Sequence, residues 1–290
     1  MNWVPLFFLD AVCHQLPSSA LKPVSEFSGS WSKFGAEHHK KRRELSFRCR
    51  ISNQEVNYGF WGTDRAYLRI VIADLNLEFD RITYFACDPA SSNNHRVSRR
   101  VNHVSLREFE RDILPTIAAL ITNCCWPYLA ASSQNRFFFN AFKNFPGFSE
   151  IIVDEQGEES RDFVVRQVEL GNVQRLTLYG TKNWPEGENL AETLKKFVSS
   201  TRFHQLYSRH SLRDHYEVFE AFLERALAKE LKRGARVSTP GTHFDKSRLL
   251  ALHPECRHNS EKDAWRTPHS NLRIAVRHHA GMLELELEVE

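Results

Sequence analysis

Apolar positions along this chain change their period near residue 45. Upstream, Phe8, Val12 and Leu16 recur every four residues, which places them on one face of a helix whose first turn suits Pro5. Pro17-Ser18-Ser19 stops that helix and Pro23 marks a further break. Val24, Phe27, Trp31 and Phe34 then follow at i, i+3, i+7 and i+10, a second helical stripe, before charge dominates up to Glu44. The segment has apolar faces but too few residues to bury them all by itself.

From residue 45, Leu45, Phe47, Cys49 and Ile51 alternate with polar neighbours, the period of a strand. Tyr67–Ile72 and Arg81–Cys87 read as further strands, and Pro89–Arg100 as a polar loop. Leu106, Phe109, Ile113, Ile117 and Leu120 mark an amphipathic helix that Pro115 is expected to kink. Strand-like runs then occur at Glu150–Val153, Val173–Tyr179 and Phe203–Tyr207, with helical segments Asp162–Leu170 and Leu190–Val198 between them. Their starts are separated by roughly the 20–30 residues of leucine-rich-repeat-like β/α units. The Asn ladder of such repeats is absent, and an α/β sheet of ordinary connectivity fits equally. In either case these runs are expected side by side in one sheet.

Leu212, Tyr216, Phe219, Leu223 and Leu227 give the most regular helical pattern in the chain. Arg233–Asp245, with Gly234, Pro240 and Gly241, reads as a loop. At the C-terminal end Leu272, Ile274 and Val276 alternate, and after His279-Ala280-Gly281 come Leu283, Leu285, Leu287 and Val289 with Glu between them. That is a β-hairpin with an apolar and a charged face, whose Arg and Glu side chains can pair across strands. The expected fold is thus α+β or α/β, with a helical module over residues 1–45 and an α/β body over 46–290 that ends in the hairpin.

Composition narrows the function. With 41% hydrophobic and 26% charged residues, and 21 Phe against 12 Gly, the chain can bury a real core and is not low-complexity. A net charge of +3 gives no reason to expect a nucleic-acid partner. The dense basic run, His38-His39-Lys40-Lys41-Arg42-Arg43, reads as a solvated helix end, where cations suit the dipole, with a nuclear-import signal or a nucleic-acid contact as the alternative. Trp3–Leu9 is a poor secretory signal, since no Lys or Arg precedes it, Pro5 interrupts it and Asp10 arrives before a full apolar region has formed. No run approaches the roughly 18 apolar residues of a membrane span. The cysteines, Cys13, Cys49, Cys87, Cys124, Cys125 and Cys256, show no framework spacing and read as reduced thiols. The cytoplasm or nucleus is the expected compartment, with no membrane partner.

Chemistry-bearing motifs are missing. There is no phosphate-binding glycine loop, no Gly-x-Ser-x-Gly elbow and no His-Glu-x-x-His helix. His253-x-x-Cys256-x-His258 lacks the second ligand pair of a structural zinc site. Cys13 and His14 are adjacent and diverge on a helix. Glu284, Glu286, Glu288 and Glu290 read as the solvated face of an amphipathic strand rather than as paired catalytic carboxylates. No catalytic residue, cofactor or metal is expected, and the chain is expected not to be an enzyme.

The order of features over Val4–Arg43 resembles an F-box-like module. Val4-Pro5 occupies the place of its opening Leu-Pro pair, Phe8, Val12 and Leu16 form the first stripe, and Trp31 stands where the module's Trp would. Met1–Phe8 and Trp31–Arg43 are particularly similar to the divergent F-box-like proteins that nematodes carry in large expanded sets. The resemblance departs at Val4, where Leu is usual, and at Gly29, which it places inside the second helix. It implies a module that binds a Skp1-like adaptor, and through it a cullin, by way of Val4, Pro5, Phe8, Val12, Leu16, Phe27 and Trp31. The body would then select a protein substrate for ubiquitination, with no bond chemistry of its own. The alternative is a non-enzymatic α/β scaffold or protein-binding protein whose N-terminal helices belong only to the core. The first reading expects Trp31 and its stripe to stay partly exposed, the second expects them buried against strands.

Overall fold

The computed structural model describes residues 4–52, 54–62, 70–88, 102–122, 128–132, 136–145, 147–154, 157–179, 190–208, 216–240, 257–259, 264–266, 272–279 and 282–289. The chain divides into two units, Met1–Asn135 with Gly147–Ser149, and Arg136–Pro146 with Glu150–Glu290. Each contains helices together with parallel and antiparallel strand pairs.

The first unit opens with helices α1 (Leu6–Gln15), α2 (Ser18–Ser25) and α3 (Ser30–Lys41). Pro5 and Pro17 precede α1 and α2, positions where a missing N–H costs nothing because the first turn leaves it unpaired. Pro23 does not break the chain but sits inside the last turn of α2. The stripe Val24–Phe34, expected as one helix, is divided by Ser28-Gly29. Gly29 has φ +71° and lies just before α3, not within a helix; only glycine takes that conformation without strain.

Strands β1 (Arg43–Ser52), β2 (Glu55–Gly62), β3 (Asp80–Asp88), β4 (Asn102–Ser105) and β5 (Tyr128–Ser132) pair in the order β5-β3-β1-β2-β4. β1 pairs antiparallel with β2 and parallel with β3. Leu45, Phe47 and Cys49 point into the core as their alternation predicted, and the Phe47 ring packs at 5.0 Å from Phe60 and 5.2 Å from Phe85. The run expected as a strand over Tyr67–Ile72 yields, among its described residues, a single bridge from Ile70 to Phe60 and a 3-10 turn at Ile72–Asp74. The helix expected from Leu106 is α4 (Leu106–Glu108), a π-turn (Phe109–Ile113) and α5 (Leu114–Thr122). The wide turn lies just before Pro115, whose ring would clash with the carbonyl of residue 111 in a regular α-helix.

The second unit alternates strands and helices: α6 (Arg136–Phe142), β6 (Glu150–Asp154), α7 (Glu158–Leu170), β7 (Arg175–Tyr179), α8 (Leu190–Val198), β8 (Gln205–Ser208), α9 (Tyr216–Leu227) and β9 (Arg236–Pro240). β6, β7, β8 and β9 run parallel in chain order, so the three strand runs expected side by side are neighbours. Helices α6 to α9 pack each against the next. Phe163, Leu194, Phe197, Phe219 and Phe222 are fully buried, as are Ile151, Leu176, Leu206 and Val237 of the strands. Strands β10 (Arg257–Asn259), β11 (Ala264–Arg266), β12 (Leu272–His279) and β13 (Met282–Val289) complete the sheet antiparallel, with β13 against β9.

Two expectations are corrected here. Arg236–Pro240 is a strand where a loop was read, because β8 and β13 pair on its two sides and bury Val237, Ser238 and Thr239. The hairpin's glutamates do not all face solvent. Glu286 is buried, with Arg236 3.7 Å away, while Glu288 meets Arg273 at 3.6 Å.

Three helix C-termini are closed by long side chains from elsewhere in the sequence. Arg42 donates to the carbonyls of Leu16, Cys13 and His14 at the end of α1. Gln167 of α7 reaches those of Phe142, Lys143 and Phe145 behind α6 at 2.9–3.2 Å. Arg225 of α9 reaches Val198 and Ser200 behind α8 at 2.5 and 2.8 Å. A helix leaves its last carbonyls unpaired, and these caps satisfy them while fixing one helix against another.

Candidate functional site

The amphipathic N-terminal helices carry the largest exposed apolar side chains. Leu6 is 59% exposed, Phe7 77%, Phe8 48% and Phe27 59%; beyond these, only Leu77 and Leu227 among the described residues are large apolar groups left in solvent. Leu6, Phe7 and Phe8 form the first turn of α1, and Phe27 lies in the turn between α2 and α3. Of the residues expected to contact a partner, Val4, Val12, Leu16 and Trp31 are half-buried, while Pro5, Phe8 and Phe27 are exposed.

The inward face of α1 is Leu9 and Cys13, one position on from the stripe read from the sequence. One residue is a rotation of about 100°. That difference turns Phe7 and Phe8 outward. Phe7 and Leu6 therefore join the exposed surface although periodicity did not select them. Leu21 of α2 and Gly35 of α3 are buried as well. Gly35 sits so close to α2 that a Cβ there would stand 2.7 Å from the Ser25 nitrogen and 2.9 Å from the Val24 carbonyl carbon.

The basic run is correspondingly not a solvated helix end throughout. His39 and Lys40 are exposed and Lys41 pairs with Glu37 at 2.7 Å. His38 is buried, Arg42 caps α1, and Arg43 makes two bonds of 2.7 and 2.6 Å to Asp80. Half the run fastens α1, α3 and β3 together.

Behind the exposed surface lies a polar cluster. His38 Nε2 is 2.7 Å from Asp10 Oδ1, and His14 Nε2 is 3.3 Å from Asp10 Oδ2. His38 Nδ1 faces the Arg42 guanidinium at 3.2 Å, and His14 Nδ1 faces that of Arg81. Arg81 is itself fully buried and donates also to the carbonyls of Leu77, Glu78 and Asp80. Guanidinium nitrogens only donate. Both Nδ1 atoms must therefore accept, which puts the ring protons on Nε2, aimed at the Asp10 carboxylate. Burial first, and the Arg81 charge next, hold the His14 pKa below its ordinary value. Burial, then Asp10, pushes the Cys13 thiol up.

Asp10, His14 and His38 offer donor atoms within 4.8 Å of one another, the composition of a two-histidine, one-carboxylate metal set. Their surroundings oppose that use. A ligating His donates its far N–H to a carboxylate or carbonyl, whereas both far nitrogens here meet guanidinium donors. Of the other sequence candidates, His253 and Cys256 lie outside the described residues, as do Cys124, Cys125 and Glu290, and His258 stands in β10. Cys13, Cys49 and Cys87 are free thiols buried in the first unit, with Cys49 Sγ 3.3 Å from Cys87 Sγ across β1 and β3. No described helix is long and apolar enough to cross a membrane.

No protein-family model matches the chain, and no curated protein is similar to it. Among solved structures it matches the MycE methyltransferase from the mycinamycin biosynthetic pathway in complex with Mg and SAH, at 10% identity over 99% of this chain and 93% of that one, with a TM-score of 0.26. The same methyltransferase with Mg, SAH and mycinamycin VI matches at 8% identity over 99% and 94%, also with a TM-score of 0.26. The expectation that the chain is not an enzyme is corrected on this point: the solved structures it matches are those of an enzyme, and the exclusion is withdrawn. At that TM-score the likeness assigns this chain neither a fold nor a reaction.

Proposed function

We propose that α1–α3 are a docking module for a Skp1-like adaptor of a cullin-based ubiquitin ligase, and that the remainder of the chain selects a protein substrate. The observation that carries this reading is the exposure of Leu6, Phe7 and Phe8 on the first turn of α1 and of Phe27 in the turn between α2 and α3. A large apolar side chain gains about 1.5–3 kcal/mol when fully buried, and a helical face with several such groups in solvent fits a partner's groove. The half-buried Trp31 at the start of α3 and the order Val4-Pro5, Phe8, Val12, Leu16, Phe27, Trp31 agree with the F-box-like resemblance. The cytoplasm or nucleus, where such ligases work, follows from the same reading.

The reading in which these helices serve only as core has less in its favour, because Phe8 and Phe27 are about half exposed or more. The test is to mix the purified full chain with a purified Skp1-like adaptor. Co-elution at one-to-one stoichiometry in gel filtration is expected, and separate elution at micromolar concentration would remove the reading.

A further inference from the structure

We propose that Asp10, His14, His38, Arg42 and Arg81 form an acid-sensitive latch that holds α1 against α3 and β3 and opens when His14 takes up a proton. This inference stands on the geometry of the cluster and does not rest on the adaptor reading.

The cluster joins three elements through one neutral ring. His14 and Asp10 are one turn apart on α1, His38 comes from α3, Arg42 from its C-terminal end, and Arg81 from β3. Among the described residues, the charged and titratable groups that act on His14 are the Asp10 carboxylate on its own helix and, from the packed elements, the His38 imidazole and the Arg42 and Arg81 guanidinium ions. With Nε2–H given to Asp10, the docked His14 offers its one remaining lone pair to Arg81. A second proton would occupy that lone pair. It would turn an acceptor into a donor aimed at a guanidinium, and would place a third cation beside Arg42 and Arg81. Asp10 is already shared with His38 and supplies a single compensating charge. Arg81 cannot withdraw readily, since it is buried and held by three backbone carbonyls.

The direction of the pH response follows. A free imidazole titrates near about pH 6.5, and docked His14 titrates lower, chiefly through burial and then Arg81. Between the two values the released helix binds a proton that the docked helix refuses. Attachment is therefore complete above about pH 6.5 and is lost as pH falls from there toward the docked value, by at most about tenfold per pH unit for one proton.

The test is hydrogen exchange on the full chain between pH 7.5 and 5, with protection factors corrected for intrinsic exchange, alongside NMR titration of the His14 ring. The expected result is selective loss of protection in α1 relative to α7 as pH falls below about 6.5, approaching tenfold per unit, over the range in which the ring titrates. His14→Asn should abolish the pH dependence, because its amide oxygen can accept from Arg81 at the Nδ1 position but takes up no proton. The latch is overturned if α1 keeps its protection while the ring titrates, if the ring titrates at or above 6.5, or if α1 loosens identically in the Asn variant. Should that variant not fold, the coincidence of ring titration and α1 opening in the natural chain decides alone. One equivalent of zinc at pH 7.5 should leave α1 protection unchanged; a gain in α1 would reassign the cluster to metal binding.

Discussion

Replacing Arg42 by Met removes a guanidinium and keeps most of the hydrocarbon stem, so its effect measures how far a single cap holds the N-terminal helices. Two of its nitrogens serve the carbonyls of Leu16, Cys13 and His14, and one also faces His38. A hydrogen bond from a charged donor is worth about 1.5–3 kcal/mol net. A cation at a helix C-terminus adds about 0.3–1 kcal/mol. Groups sharing one side chain do not add independently, and the site is part-buried, so water recovers some of the loss. The expected destabilisation is about 3 kcal/mol, or roughly 10 °C in midpoint for a unit of this size. Thermal and urea unfolding at pH 7.5, followed by circular dichroism, would read it. Arg42→Lys should recover less than half, because one ammonium cannot span the carbonyls and the ring together. Lys40→Met, on an exposed position of the same run, should change nothing. An Arg42→Met protein within about 0.5 kcal/mol of the natural one, the range of an ordinary surface substitution, would refute the reasoning.

Gly35→Ala should cost about 1–2 kcal/mol in unfolding experiments. The added methyl meets α2 backbone at 2.7 and 2.9 Å, an overpacking cost of about 1–3 kcal/mol that the better helix propensity of Ala offsets only in part; a stabilised variant would show that α2 and α3 are not closely packed. Cys13, Cys49 and Cys87, at 0–3% exposure, should resist a thiol reagent in the native protein and react fully in denaturant, as mass-mapped labelling would record; rapid native labelling would contradict their burial.

What the sequence made legible follows from where a periodic pattern meets a single dominant force. β1 and α9 bury one regular face each, and the alternation of Leu45, Phe47 and Cys49 and the helical spacing of Phe219 and Leu223 were enough to place them. The hairpin of β12 and β13 was legible for the same reason. β9 was not, since Arg236-Val237-Ser238-Thr239 carries a weak apolar signal and owes its extension to strands on both sides. The facing of α1 was misjudged by one residue because Cys13, small and read for its thiol, is the inward group, while the bulkier Phe8 is outward. The cluster behind it joins residues 28 and 67 positions apart, Asp10 to His38 and His14 to Arg81, and no local spacing announces such a meeting. Nor does a run of six basic residues reveal that its two arginines cap a helix and pair with a carboxylate.

The proposed role of α1–α3 is tested most directly by calorimetric titration of a purified Skp1-like adaptor into the full chain and into a Phe7→Ser/Phe27→Ser variant. Both side chains are more than half exposed, so the variant should keep its helical spectrum and unfold within about 0.5 kcal/mol of the natural chain. Saturable one-to-one binding at micromolar concentration or tighter is expected, weakened at least thirtyfold in the variant, about 2 kcal/mol. No saturable binding by the natural chain, or equal binding by the variant, would contradict it.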